Sequence, residues 1–200
     1  MGGRGSYSGK PTSSKSDIKE NTSTQSKHLS IKDLDELEQM YNVLGVSDPQ
    51  KAAKAVYHYS DDGYVGMRNG EYPEEVKLID EVIARQPKWK GTIYRGMAVD
   101  DDFIDELKNS IEGDLIQLSD KSPTSFSSKR SVAKKFADHN KHLGQKIVII
   151  EMKNKRGSSI THNSYYPKEG EVLHKSAEKY KFKKMYEDTD GYHVVLEDSE

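Results

Sequence analysis

The sequence predicts an α+β fold in which an N-terminal helical lobe packs on a mainly antiparallel β core. Residues 30–88 carry helical spacing of apolar groups with start and stop signals at each segment. After Trp89 the texture changes to short β-branched and aromatic runs separated by glycine, serine and aspartate. At 22.7 kDa with 33% hydrophobic residues, the chain can build one sizeable core.

Residues 1–29 are rich in Gly, Ser, Thr and Lys and poor in large apolar groups, a composition that cannot repay ordering entropy, so a disordered leader is expected there. Order is expected from Ser30, an N-cap with Asp33 three residues on. Ile31, Leu34, Leu37, Tyr41 and Leu44 then share one helical face, and Gly45 is the stop. Asp48-Pro49 starts a second helix with Ala52, Ala53, Val56 and Tyr57 inward, interrupted by a turn over Tyr59–Tyr64 and closed by Gly70. Pro73 opens a third helix, with Val76, Ile79, Val82 and Ile83 inward, that ends at Gln86-Pro87.

In the second half, Gly91–Gly96 reads as a strand ending in an arginine and a glycine. Asp101-Asp102 caps a helix carrying Phe103, Ile104, Leu107 and Ile111. Leu115–Leu118 is a short apolar segment and Ser122–Ser128 a Ser/Thr-rich turn. Val132, Ala133, Phe136 and Ala137 form the inner face of one more helix. Ile147–Met152 is the clearest core strand. Ile160–Pro167 reads as an irregular loop, and Val172-Leu173 as the start of a buried strand. The alternation over Tyr180–Tyr186, an Asp190-Gly191 turn and Tyr192–Leu196 form a hairpin.

Composition excludes several function classes. The 31 basic and 33 acidic residues balance to −2, which gives no field suited to nucleic acid or anionic lipid. The chain has no cysteine, so disulfides, thiolate nucleophiles and cysteine-ligated metals are ruled out. No apolar run reaches membrane-spanning length and no signal-peptide core is present, which predicts a soluble, cytoplasmic protein unless another route exports it. His139 and His142 share a helical face but have no third ligand at suitable spacing, so no metal is expected. No histidine has triad-like spacing to the serines, which sets aside Ser/His/Asp hydrolysis.

Three features carry chemistry together. On a strand, Glu169 and Glu171 would point into one cleft, and two carboxylates so close suit a cation or developing positive charge between them. Arg95, followed by Gly96, suits a phosphate clamp that a ligand can approach closely. Ser125 and Ser127 suit orientation of a carboxylate by hydrogen bonding.

Read in order, Tyr94-Arg95-Gly96, Ser125-Phe126-Ser127 with Val132–Phe136, and Ser164–Leu173 make the chain resemble the arginine-serine-glutamate class of mono-ADP-ribosyltransferases. The resemblance spans about residues 56–197, and the Tyr57–Asn69 region is similar to the helical lobe of bacterial-toxin and phage-associated members. The resemblance implies a helical lobe over 30–88 and a two-sheet, NAD-binding β core over 89–200, in one domain. It implies NAD+ as co-substrate without a metal, with Arg95 on a phosphate and the Gly96 backbone near the nicotinamide amide. Ser125 would position the catalytic Glu171, with Ser127, whose neighbour Phe126 departs from the family's threonine, as the alternative. Phe136 would line the NAD site. Glu169 would orient an acceptor arginine, and Tyr165 and Tyr166 would either help recognise the target protein or cover the sheet edge.

The implied activity is ADP-ribose transfer to a protein arginine by a monomer that acts in the cytoplasm, or in a host cell after packaging or injection by a phage or secretion system. An NAD glycohydrolase and a catalytically silent phage interaction module are the other readings.

Overall fold

The computed structural model describes residues 28–198, so the expected leader lies outside the described residues except for His28 and Leu29. Ser30 accepts from the Asp33 backbone N–H while the Asp33 carboxylate accepts from that of Ser30. This reciprocal cap starts α1, Ile31–Val43. Gly45, at φ +74°, ends it in the left-handed region that glycine reaches without strain. Asp48 and Pro49 start α2, Pro49–His58, and Pro73 starts α4, Pro73–Arg85, as their cap chemistry predicts.

The expected turn after α2 is instead a widened π turn over Tyr59–Gly63, which runs without a break into α3, Tyr64–Arg68. The widening adds one residue to the turn, so Tyr59 and Tyr64, five apart, both reach one cleft below the lobe.

Beyond the lobe lie β1 (Gly91–Val99), α5 (Asp101–Asn109), β2 (Leu115–Gln117), β3 (Thr124–Ser127), α6 (Arg130–His139) and β4 (Lys146–Asn154). They are followed by β5 (Ser158–Ser159), β6 (Glu171–His174), β7 (Lys179–Asp188) and β8 (Gly191–Glu197). The order across the sheet is β2-β7-β8-β4-β1-β3-β6-β5, antiparallel except for the β4–β8 pair. In place of two separate sheets, the eight strands form one hydrogen-bonded sheet whose seam, between β1 and β3, is the single pair Tyr94 and Ser127.

Several local expectations shift, among them Ile111, which lies beyond the end of α5 at Asn109 and is exposed. The segment read as a Ser/Thr-rich turn contains strand β3, held because Phe126 is buried and all four of its residues pair with β6. The hairpin turn is Thr189-Asp190, one residue earlier than expected, with Gly191 opening β8. Helix α6 stops at His139, so His142 does not share its face.

Strand β6 lies between two cores. Leu173 packs with Tyr41, Val56, Ile79, Ile83 and Ile160 under the helical lobe. Val172 packs with Phe126, Ile93, Val148, Ile150 and Tyr180 on the other side. Alternation along one short strand thus joins lobe to sheet, and Glu171 is fixed at its first position.

Helix α6 presses against β1 at Gly96. A Cβ there would come 1.8 Å from the Ala133 carbonyl oxygen, a backbone atom that cannot rotate aside. Gly96→Ala is therefore expected to destabilise the fold by about 1–3 kcal/mol through overpacking. The urea midpoint measures this, and an unchanged midpoint would contradict the close α6–β1 approach.

Candidate active site

The lobe, the seam and the start of β6 enclose a cleft open to solvent. Its walls include Tyr59, Tyr64 and Arg68 from the lobe, Tyr94, Arg95 and Gly96 from β1, Ser125 and Ser127 from β3, Phe136 from α6, and both Glu169 and Glu171. Every sequence-predicted site residue except Tyr165 and Tyr166 is on this surface.

The β3–β6 register places Ser127 opposite Glu171 and Ser125 opposite Leu173, so Ser125 is the diagonal neighbour of Glu171. Ser125 Oγ donates to Glu171 Oε1 at 2.6 Å, and Glu171 is only 2% exposed. The other serine has a different task. Ser127 Oγ donates to the Glu169 carbonyl oxygen at 2.6 Å and accepts from the Lys129 backbone N–H at 3.0 Å. Ser125 holds the acid and Ser127 holds the turn in front of it. Phe126, between them, points the other way and packs against His174 and Tyr180, with ring centroids 5.1 and 5.9 Å away.

The two glutamates do not reach the cleft by strand alternation. Glu169 belongs to a 3-10 turn, Pro167–Glu169, and Gly170, at φ +61°, reverses the chain before the strand begins at Glu171. The backbone N–H of Ser128 donates to the Gly170 carbonyl at 2.9 Å, which fixes that reversal. The carboxylates share the cleft because a turn folds one over the other.

Arg95 Nη1 donates to the Ser125 carbonyl at 2.6 Å, tying β1 to β3 beside the seam. Its Nε is buried without a hydrogen-bond partner among the described residues. Desolvation lowers the guanidinium from its usual range to about 10, and nearby Arg68 pushes the same way. Arg95 therefore stays charged at neutral pH. A partly desolvated cation with an unused donor on the cleft wall fits an anionic ligand such as a dinucleotide phosphate.

Of the two readings of Tyr165 and Tyr166, burial favours the covering one: they are 6% and 3% exposed. Tyr165 packs edge-on against Tyr57, Tyr166 and His28, and its backbone N–H donates to Ser60 Oγ at 2.7 Å. Tyrosines hydrophobic enough to cover the lobe are buried between loop and lobe instead of capping an exposed loop.

Sequence reasoning missed Tyr59, Tyr64 and Arg68. Arg68 lies over the Tyr64 ring at 5.0 Å. Their signal was the Tyr-to-Arg spacing of four, but reading Tyr59–Tyr64 as a turn broke the helical face that aligns them. Away from the cleft, His174, Glu178 and Asp198 bring ligand atoms within 4.8 Å of one another. Arg156 pairs with both carboxylates, so that cluster already holds its cation.

No protein-family profile matches the chain. A protein of Vibrio splendidus (strain 12B01), provisionally named the NAD(+)--arginine ADP-ribosyltransferase Vis, is 32% identical over 117 residues, which are 57% of this chain and 45% of that protein. The match thus spans under half of that relative's length. Among solved structures, Vis in complex with agmatine superposes with a TM-score of 0.63 at 20% identity, covering 87% of this chain and 88% of that one. The ADP-ribosyltransferase HopU1 of Pseudomonas syringae pv. Tomato gives 0.59 at 17%, covering 86% and 89%. Exoenzyme S of Pseudomonas aeruginosa, bound to human 14-3-3 protein beta and carba-NAD, gives 0.56 at 19%, covering 84% and 88%. The chain has the ADP-ribosyltransferase fold. In that fold the arginine on β1, the serine on β3 and the acid at the start of β6 come together here as the sequence order predicts.

Phe126 is a core residue of this ADP-ribosyltransferase fold. Phe126→Thr is expected to cost about 2–5 kcal/mol, since it removes a buried ring and places a hydroxyl in an apolar site. Chemical denaturation reads this directly, and a loss below about 1 kcal/mol would show that the ring is not supporting β3.

Proposed function

We propose that the chain is an NAD-dependent mono-ADP-ribosyltransferase that cleaves the nicotinamide–ribose bond and transfers ADP-ribose to an arginine of a target protein. The observation that carries this reading is the buried Glu171 carboxylate, fixed by Ser125 at 2.6 Å, with Glu169 lining the same cleft. NAD supplies a ribose carbon on which positive charge develops as the neutral nicotinamide leaves with the bonding electron pair. A carboxylate already oriented beside that carbon stabilises the charge without reorganising, so it acts most strongly in the transition state. Glycoside cleavage uses the same logic.

Arg95 supplies the fixed cation for a phosphate, and Gly96 beside it lines the cleft where α6 closes against β1. Tyr59, Tyr64, Tyr94 and Phe136 enclose the site with aromatic surface. Glu169 then pairs with the incoming guanidinium, turns one nitrogen toward the ribose carbon and accepts the proton released when the new bond forms. The Vis–agmatine and exoenzyme S–carba-NAD structures support a small guanidine and NAD as ligands for this fold. We read the protein as a monomeric effector or toxin that meets its target in a host cell.

Two substitutions separate the roles. Glu171→Gln should lower nicotinamide release from NAD by about 10²–10³-fold with the circular dichroism spectrum unchanged. Glu169→Gln should abolish transfer to a guanidine while NAD hydrolysis persists. Equal loss of both activities in the second variant would refute the acceptor role of Glu169.

A further inference from the structure

Two exposed lysines sit on the turn that carries Glu169, in a protein whose overall charge is −2. Lys168 directly precedes Glu169 in its 3-10 turn and is exposed. Lys129, at the N-cap of α6, is also exposed. Its side chain crosses the chain reversal, with Cε 3.7 Å from the position a Cβ on Gly170 would take, and Nζ donates to the Lys168 carbonyl at 2.7 Å. The Lys129 ammonium is thereby fixed on the turn that carries Glu169. On α6, Arg130 pairs with Asp190, and Lys134 pairs with Asp138 and Asp190, whereas Lys135 lies more than one helical turn beyond the Glu169 turn. Lys129 and Lys168 have no carboxylate partner among the described residues.

This arrangement sets a charge problem that one class of target solves. Glu169 attracts a guanidinium, whereas the two lysines beside it repel any further cation on the same polypeptide. An acceptor arginine with acidic neighbours satisfies both, because its guanidinium meets Glu169 while its flanking carboxylates meet Lys129 and Lys168. We propose that Lys129 and Lys168 select target arginines flanked by aspartate or glutamate. The inference rests on the arginine-transfer reading above and adds the local chemistry of the target.

The test uses the full chain, tagged NAD and peptides that each contain one arginine flanked by acidic, alanine or lysine residues. The kcat/KM for transfer should be roughly three- to tenfold higher for acidic than for alanine flanks, and lowest for lysine flanks. The preference should fade as salt is raised toward 1 M, because both lysines are exposed. The double variant Lys129→Glu, Lys168→Glu should invert the order, and Lys129→Arg with Lys168→Arg should keep it. Equal kcat/KM across the three flanks overturns the proposal. A raised KM for NAD in the glutamate variant also overturns it, by assigning the lysines to the dinucleotide. Transfer to agmatine separates the two readings. If agmatine is modified but flanks do not matter, the selectivity proposal alone fails; if neither agmatine nor any peptide is modified, the arginine-transfer reading fails and takes the proposal with it.

Discussion

The site depends on the pairing register of β3 with β6. With Ser127 opposite Glu171, a single diagonal brings the Ser125 hydroxyl to the acid and leaves Ser127 facing the turn that precedes it. A slip of one residue would put Phe126 in the cleft and both serines in the core. The register is held by burial: Phe126 and Val172 must face one hydrophobic cluster, and Leu173 the other. Hydrophobic packing therefore fixes the geometry of Ser125, Ser127 and Glu171 in the cleft.

A second constraint joins the helical lobe to the loop before the acid. Asn163 Nδ2 donates to the Tyr41 hydroxyl at 3.0 Å and to the Ala53 carbonyl at 3.2 Å, and Ser60 in the π turn accepts from the Tyr165 N–H. Tyr59 reaches across to the Pro123 carbonyl at 2.9 Å, just ahead of β3. The π turn thus touches the serine strand and the glutamate loop, and α3 continues from it to place Tyr64 and Arg68 at the cleft. Lobe and sheet act as two walls pinned on both sides of Glu169 and Glu171.

Much of this was legible in the sequence where one local signal sufficed. Ser30 with Asp33, Gly45, Pro49 and Pro73 marked helix ends because caps are chemistry of adjacent residues. Arg95, Ser125 and Glu171 were legible as an ordered set, through likeness to a known family. What was not legible depended on contacts distant in the chain. Thr124–Ser127 looked like a turn because its strand character comes from pairing with β6, 46 residues away for the Ser125–Glu171 pair. Tyr165 and Tyr166 allowed both readings because their burial comes from Tyr57 and Ser60. Glu169 and Glu171 shared a cleft as expected, but by the left-handed reversal at Gly170, which strand alternation did not anticipate.

A carboxylate fixed by this register, with a second beside it, is what we propose makes the cleft a site for moving ADP-ribose from NAD to a guanidine. The most direct measurement is to incubate the purified wild-type protein with NAD and agmatine and analyse the products by mass spectrometry. Free nicotinamide and ADP-ribosylated agmatine should both form, with any excess of nicotinamide matched by free ADP-ribose. Recovery of intact NAD, with neither product formed, would contradict the proposal.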